Sequence, residues 1–194
     1  MQQLKKSAAE RLLSVTLAGP GSPYGFGGTK DAHGTPTFDD YAGSGGGLAN
    51  PVLYQGVVEK NRTLDSPFSP RSALRLLVWG PGFIPDREDA FLDAMFQVEL
   101  GDKGIPGDKV DSPNWPYVAP GKWGPLNALS PKYIGNLVER ILSARPKADV
   151  LWIYGTDDVA VSNSAASDPG TWGPTGRLPG FPGPEVYPPQ PMMD

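Results

Sequence analysis

Two strand-like runs stand near opposite ends of this sequence, and what joins them limits the folds available. Ser14-Val15-Thr16-Leu17-Ala18 is closed by Gly19-Pro20-Gly21, and Asp149-Val150-Leu151-Trp152-Ile153-Tyr154 runs directly into Gly155-Thr156-Asp157-Asp158. The second run holds five consecutive apolar residues rich in β-branched and aromatic types, the pattern of a strand covered on both faces in a parallel sheet. A long helical insertion separates the runs, with a helix immediately before the second, so together they form one βαβ-type crossover. Such a unit does not stand alone easily. A two-stranded sheet is marginal in water, and each of these strands keeps an unpaired edge. The expected fold class is therefore α/β, with both strands belonging inside a larger parallel sheet. In such sheets chemistry gathers at the carboxyl edge of the strands, which makes Asp157 and Asp158 site candidates. On these features alone, an Asp after a strand is more often a turn former.

The insertion is rich in residues that break regular structure. The chain has 25 Gly and 23 Pro in 194 residues, about a quarter of the whole and near the level of low-complexity sequence. Five Trp, seven Tyr and seven Phe oppose a disordered reading, because disordered segments are poor in aromatics. Long ordered loops packed on aromatic side chains are the outcome expected. A formal charge of -4 without a basic cluster gives no footprint for nucleic acid or an anionic membrane. The absence of cysteine excludes disulfides and thiolate chemistry. Neither a secretory leader nor an apolar stretch of spanning length is visible, so the expected location is the cytoplasm.

In order, Met1 to Leu13 places Leu4, Ala8, Leu12 and Leu13 on one side, as an amphipathic helix without a start signal. A Gly-rich stretch covers 22–50; its Lys30 follows Thr29 and leads into Asp31, which is not the Gly-Lys-Ser/Thr order of a phosphate-binding loop. Four helices follow. Asn50-Pro51 and Ser69-Pro70 are caps with Pro at the first helical position. The stripes behind them are Leu53, Tyr54, Val57 and Val58, then Leu74, Leu77 and Val78. Asp86 is expected to cap a third helix that buries Phe91, Leu92, Met95 and Phe96 and ends at Gly101. Ser130-Pro131 opens a fourth, with Tyr133, Ile134, Leu137, Val138, Ile141 and Leu142 on one face, and Pro146 ends it. Between the third and fourth lie Trp115, Tyr117 and Trp123 among prolines, which could line an apolar pocket or simply fix a long loop to the body. The segment after Ser162 is a Gly/Pro-rich loop; it could be a polyproline recognition segment or an ordered internal loop.

The run Ala148-Asp149-Val150-Leu151-Trp152-Ile153-Tyr154-Gly155-Thr156-Asp157-Asp158-Val159-Ala160-Val161 resembles the penultimate strand and acid loop of the α/β-hydrolase superfamily, whose pattern is Gly-x-x-Asp-x-x-Val. Laid on this chain, the pattern selects Gly155, Asp158 and Val161, which prefers Asp158 to Asp157 as triad acid. Residues 11–25 are similar to the segment that leaves the nucleophile-bearing helix and enters the sixth strand. The stretch with Ser22-Pro23-Tyr24-Gly25-Phe26-Gly27-Gly28-Thr29, Ala42-Gly43-Ser44-Gly45-Gly46-Gly47 and Ser112-Pro113-Asn114-Trp115-Pro116 resembles the large lid of one subgroup of these enzymes. The resemblance implies a partial α/β-hydrolase fold: core at 1–21, lid at 22–130, core again at 131–162 and a loop toward further core at 163–194. It implies a hydrolase acting on a small-molecule ester, amide or related bond through an acyl-enzyme, without a cofactor or metal. Trp115, Tyr117 and Trp123 would shape its substrate pocket.

Family catalysis needs a Ser in a Gly-x-Ser-x-Gly turn, then an acid, then a His. The sequence contains no Gly-x-Ser-x-Gly, and its one histidine, His33, precedes the acid in a polar loop. Ala42-Gly43-Ser44-Gly45-Gly46 does not follow a strand-like run and reads as lid loop. The resemblance thus implies a chain that carries only the acid of the triad and is inactive alone. The rival expectation is a non-enzymatic binding module that uses the lid aromatics or the Pro-rich tail.

Overall fold

The computed structural model describes residues 12–80 and 82–193. Up to residue 11, the helix expected over Met1–Leu13 lies outside the described residues. The architecture is α/β, with short helices and three two-stranded sheets among the described residues.

The two strand-like runs are neighbours. β1 (Ser14–Ala18) and β6 (Asp149–Ile153) pair in parallel, with Ser14 opposite Asp149 and Ala18 opposite Ile153. The Gly19 amide extends the ladder by donating to the Ile153 carbonyl at 2.8 Å. The expectation of burial on both faces is not met, since every residue of β6 is exposed, Trp152 at 49%. The cause lies in the covering layers: no described element lies over either face, and the helix before β6 buries none of its own residues. Apolar side chains on both faces of an open pair make an association surface. At micromolar concentration this chain is expected to self-associate, and the double substitution Leu151→Lys and Ile153→Lys, on one face of β6, to suppress it. Light scattering as a function of concentration checks this.

The packed body is built from loops. The sheet of β4 (Lys109–Asp111) and β5 (Val118–Pro120) is antiparallel, and β2 (Leu100–Gly101) and β3 (Ile105–Pro106) add a second small pair. A 3₁₀ turn at Gly45–Leu48 and the short helix α4 (Pro125–Ala128) pack against them. Asn127 joins these pieces. Its side chain accepts from the Gly46 amide at 2.8 Å and donates to the Asp108 and Trp123 carbonyls. The 165–193 segment, with α7 (Pro169–Trp172) at its start, folds back onto the 22–50 loop and is ordered there: Tyr187, Gln190 and Met192 are buried.

Helices α1 (Pro51–Val58), α2 (Pro70–Leu77) and α3 (Glu88–Met95) form a second cluster around Val57, Ala73, Leu74 and Leu92. The caps expected at Asn50 and Ser69 accept from Val52 and Ser72 amides. α3 differs from expectation. Arg87, not Asp86, stands at its N-cap, and the helix ends at Met95 rather than Gly101, which belongs to β2. The expected fourth helix is two pieces, α5 (Pro131–Ile134) and α6 (Leu137–Ser143). Gly135 between them takes φ +63°, which interrupts the helical path. Leu142, Ile141 and Tyr133, expected to be buried, are exposed, as are Val58, Val78 and Phe91 in the earlier stripes.

α2 and α3 are tied by charge. Glu88 accepts from Arg75 Nε and Nη2 at 2.6 and 2.9 Å and from Arg71 Nη1, while Arg71 also reaches Asp89. Hydrogen bonds first from Arg75 and then from Arg71 hold the Glu88 carboxyl below its ordinary value. A carboxylate depressed in the folded state adds stability above its unfolded pKa, and that stability is lost as pH falls through the folded value. Glu88→Gln is therefore expected to cost about 1–3 kcal/mol at neutral pH, for the charged partners it leaves. The difference from wild type should narrow as pH falls below the ordinary carboxylate range and through the lowered folded value, as read from urea midpoints.

Candidate functional site

The shared carboxyl edge of β1 and β6 carries the loop that holds Asp157 and Asp158. Tyr154 and Gly155 leave β6, and the Asp158 amide donates to the Gly155 carbonyl at 3.1 Å, which closes a tight turn. Asp158 Oδ1 accepts from the Ala160 and Val161 amides at 2.8 and 2.9 Å. No described residue donates to its Oδ2. The carboxylate is thus fixed through one oxygen and has the other available, while the side chain is half-buried. Asp157 is exposed and makes no side-chain hydrogen bond with a described residue. The loop continues into the body, where the Ala166 amide donates to the Val159 carbonyl at 2.7 Å.

An oriented acid requires an imidazole and a nucleophile before it can act. Ser44 lies in a Gly-Ser-Gly sequence but is fully buried, its hydroxyl at 2.8 Å from the Tyr41 carbonyl and at 2.8 Å from Ser130 Oγ. No substrate reaches it. His33 is exposed on a turn built by Asp31, whose Oδ1 accepts from the His33 and Thr35 amides. Among the described residues, no three His, Asp or Glu side chains converge as metal ligands. No described helix is long and apolar enough to cross a membrane.

The three aromatics expected to line a pocket occupy different settings. Trp115 is buried, edge-on to Phe181 and Tyr187 at centroid distances of 5.2 and 4.8 Å, and its indole N–H donates to the Pro179 carbonyl. It fixes the tail to the body and offers no free ring face. Tyr117 is exposed at φ +69°, a left-handed conformation that a bulky residue adopts only when its surroundings hold it there. Trp123 is exposed, with the Lys122 and Lys103 ammonium groups 5.1 and 5.9 Å from its ring centroid.

The central buried polar cluster was not singled out from the sequence. Asp168 accepts from the Gly170 amide at 3.0 Å and from the Gln190 amide at 2.6 Å. The Gln190 side chain in turn accepts from the Gly27 amide and donates to the Gly25 carbonyl. Burial pushes the Asp168 carboxyl up, with the two amide bonds opposing it, and burial pushes the Tyr187 hydroxyl up as well. The signal that could have found Asp168 is the dipeptide Asp168-Pro169, the same cap-then-proline device as Asn50-Pro51.

No protein-family model, curated protein or solved structure matches this chain.

Proposed function

We propose that this chain carries the acid loop and cap of an α/β-hydrolase acting on an ester, amide or related bond, with Asp158 as the acid of a Ser-Asp-His triad. One observation carries the reading. The Gly155–Asp158 turn sits at the carboxyl edge of a parallel strand pair, with one oxygen of Asp158 anchored by two amides and the other open. A triad acid needs that arrangement: it holds an imidazole in one tautomer and stabilises the imidazolium formed during attack, so it must not rotate. The exposed faces of β1 and β6 support the same reading, since parallel strands with apolar side chains on both faces belong inside a covered sheet. Tyr117 and Trp123 present ring surface for an apolar group of the substrate, and Trp115 fixes the tail to the body. The fold is then a partial α/β-hydrolase fold, with two core strands and a helical lid.

The nucleophile and the base come from polypeptide other than the described residues. The purified chain by itself is expected to leave p-nitrophenyl acetate and butyrate unhydrolysed above buffer. The deciding experiment reads the nucleotides on both sides of this coding frame, in all three frames. A strand-like run and Gly-x-Ser-x-Gly upstream, with a His downstream, support the proposal; finding neither removes it.

A further inference from the structure

A cleft of about 320 Å³ lies between the Gly-rich loop and the α5–α6 segment, and the acid loop has no part in it. Its loop wall carries Tyr24, His33 and Tyr41, and its helical wall carries Asn136, Val138 and Glu139. This volume is at the small end of the range for small-molecule sites.

The walls are fixed. The Phe26 amide donates to the Leu129 carbonyl at 2.8 Å, and Ser44 meets Ser130 at the base of α5. Gly25 allows the close approach, because a Cβ there would stand 2.7 Å from the Leu129 carbonyl and the Pro131 nitrogen. The rings are placed as firmly. Tyr24 packs directly on Gly34, where a side chain would overlap its ring. Tyr41 is held at φ 60° by a turn in which its amide donates to Phe38. His33 is set by the Asp31 turn.

The charges in the cleft are not balanced. Glu139 has no ion-pair or hydrogen-bond partner among the described residues. Lys132, the one permanent cation in the lining, is turned away: its ammonium donates to the Pro120 carbonyl at 3.2 Å and lies 5.4 Å from the Tyr133 ring centroid. Asp31 stands beside His33 and adds a second negative charge near the rim. The hydroxyls of Tyr24 and Tyr41 make no hydrogen bond with described residues. Two tyrosine rings and an unpaired carboxylate, with the cation directed elsewhere, suit a positively charged guest.

We infer that this cleft binds a small organic cation, an amine or quaternary ammonium group, between the Tyr24 and Tyr41 rings and the Glu139 carboxylate. The ammonium meets the electron-rich faces of the rings and the carboxylate neutralises it. Pro36, Ile134 and Val138 cover its apolar groups. The inference does not depend on the hydrolase reading, since none of its residues belongs to the acid loop.

The test titrates the full chain with choline and with its uncharged carbon analogue 3,3-dimethyl-1-butanol, followed by amide chemical shifts. Choline should bind in the millimolar range and shift the Gly34 and Gly135 amides, with the neutral analogue at least about tenfold weaker. Tyr24→Leu should weaken choline about tenfold. Glu139→Gln, on an exposed helical position that the fold does not need, should weaken it about threefold or more and leave the neutral analogue unchanged. Equal binding of the two probes, shifts confined to other residues, or choline affinity unaltered in Glu139→Gln would each overturn the inference.

Discussion

In the hydrolase that we propose this chain belongs to, Asp158→Asn is expected to lower kcat by about 10⁴-fold with KM little changed. Asp157→Asn should remain within about twofold of the parent. The asymmetry follows from hydrogen bonding. An asparagine at 158 still accepts from the Ala160 and Val161 amides through Oδ1, so the loop keeps its shape. Its amide group then occupies the open position, where it donates instead of accepting and holds an imidazole in the wrong tautomer. Asp157 points to solvent from the same turn, so losing its charge alters only a screened field. Steady-state kinetics of both variants on one aryl ester measure the difference. Equal losses, or full activity in Asp158→Asn, would remove Asp158 from the triad.

Tyr187→Ala is expected to destabilise the body by about 3–5 kcal/mol, the range for removing a buried aromatic ring. Tyr187 is 1% exposed and lies edge-on to Trp115, with Phe38 on another side at a centroid distance of 6.1 Å. Its hydroxyl is 3.3 and 3.4 Å from the Gly43 and Ala42 carbonyls, long enough that Tyr187→Phe should cost only about 1 kcal/mol. The ring holds the tail to the Gly-rich loop, and the space it leaves cannot collapse between two segments that lack regular structure. Gly43→Ala attacks the same contact from the other side. A Cβ there overlaps the Tyr187 hydroxyl, and the position has φ +79°. Urea midpoints of the three variants, with unchanged slopes, check the ordering.

How far the sequence was informative depends on the range of the forces at each place. The caps at Asn50 and Ser69 and the strands at 14–18 and 149–153 are local or strongly patterned, and the structure has them where the residues indicate. α3 starts one residue later than the Asp86 cap predicts, and Glu88, its first residue, is drawn into a pair with two arginines from α2. The break at Gly135 overrode a continuous apolar stripe, since a single residue with left-handed φ outweighs periodicity on either side. Burial was the least legible quantity. It depends on which layers are present, and a run such as Val150–Ile153 records what should cover it without supplying it. Asp157 and Asp158 were legible as candidates from their place after the strand, and only the resemblance to the α/β-hydrolase pattern prefers Asp158. Its anchored and open oxygens required coordinates, as did the cluster of Asp168, Tyr187 and Gln190, whose partners are distant in sequence.

That distance governs how the body is assembled. The Gln190 side chain clasps backbone 163 residues earlier, at Gly27, and it lies at the centre of the packing rather than at its margin. During synthesis, the Gly-rich loop must wait, unsealed, until Gln190 has cleared the ribosome, whereas the α1–α3 cluster can form as soon as its own residues are free. A ribosome stalled after α1–α3 have emerged, but before Tyr187 and Gln190 are made, should therefore hold a nascent chain with three folded helices beside an open, protease-sensitive loop.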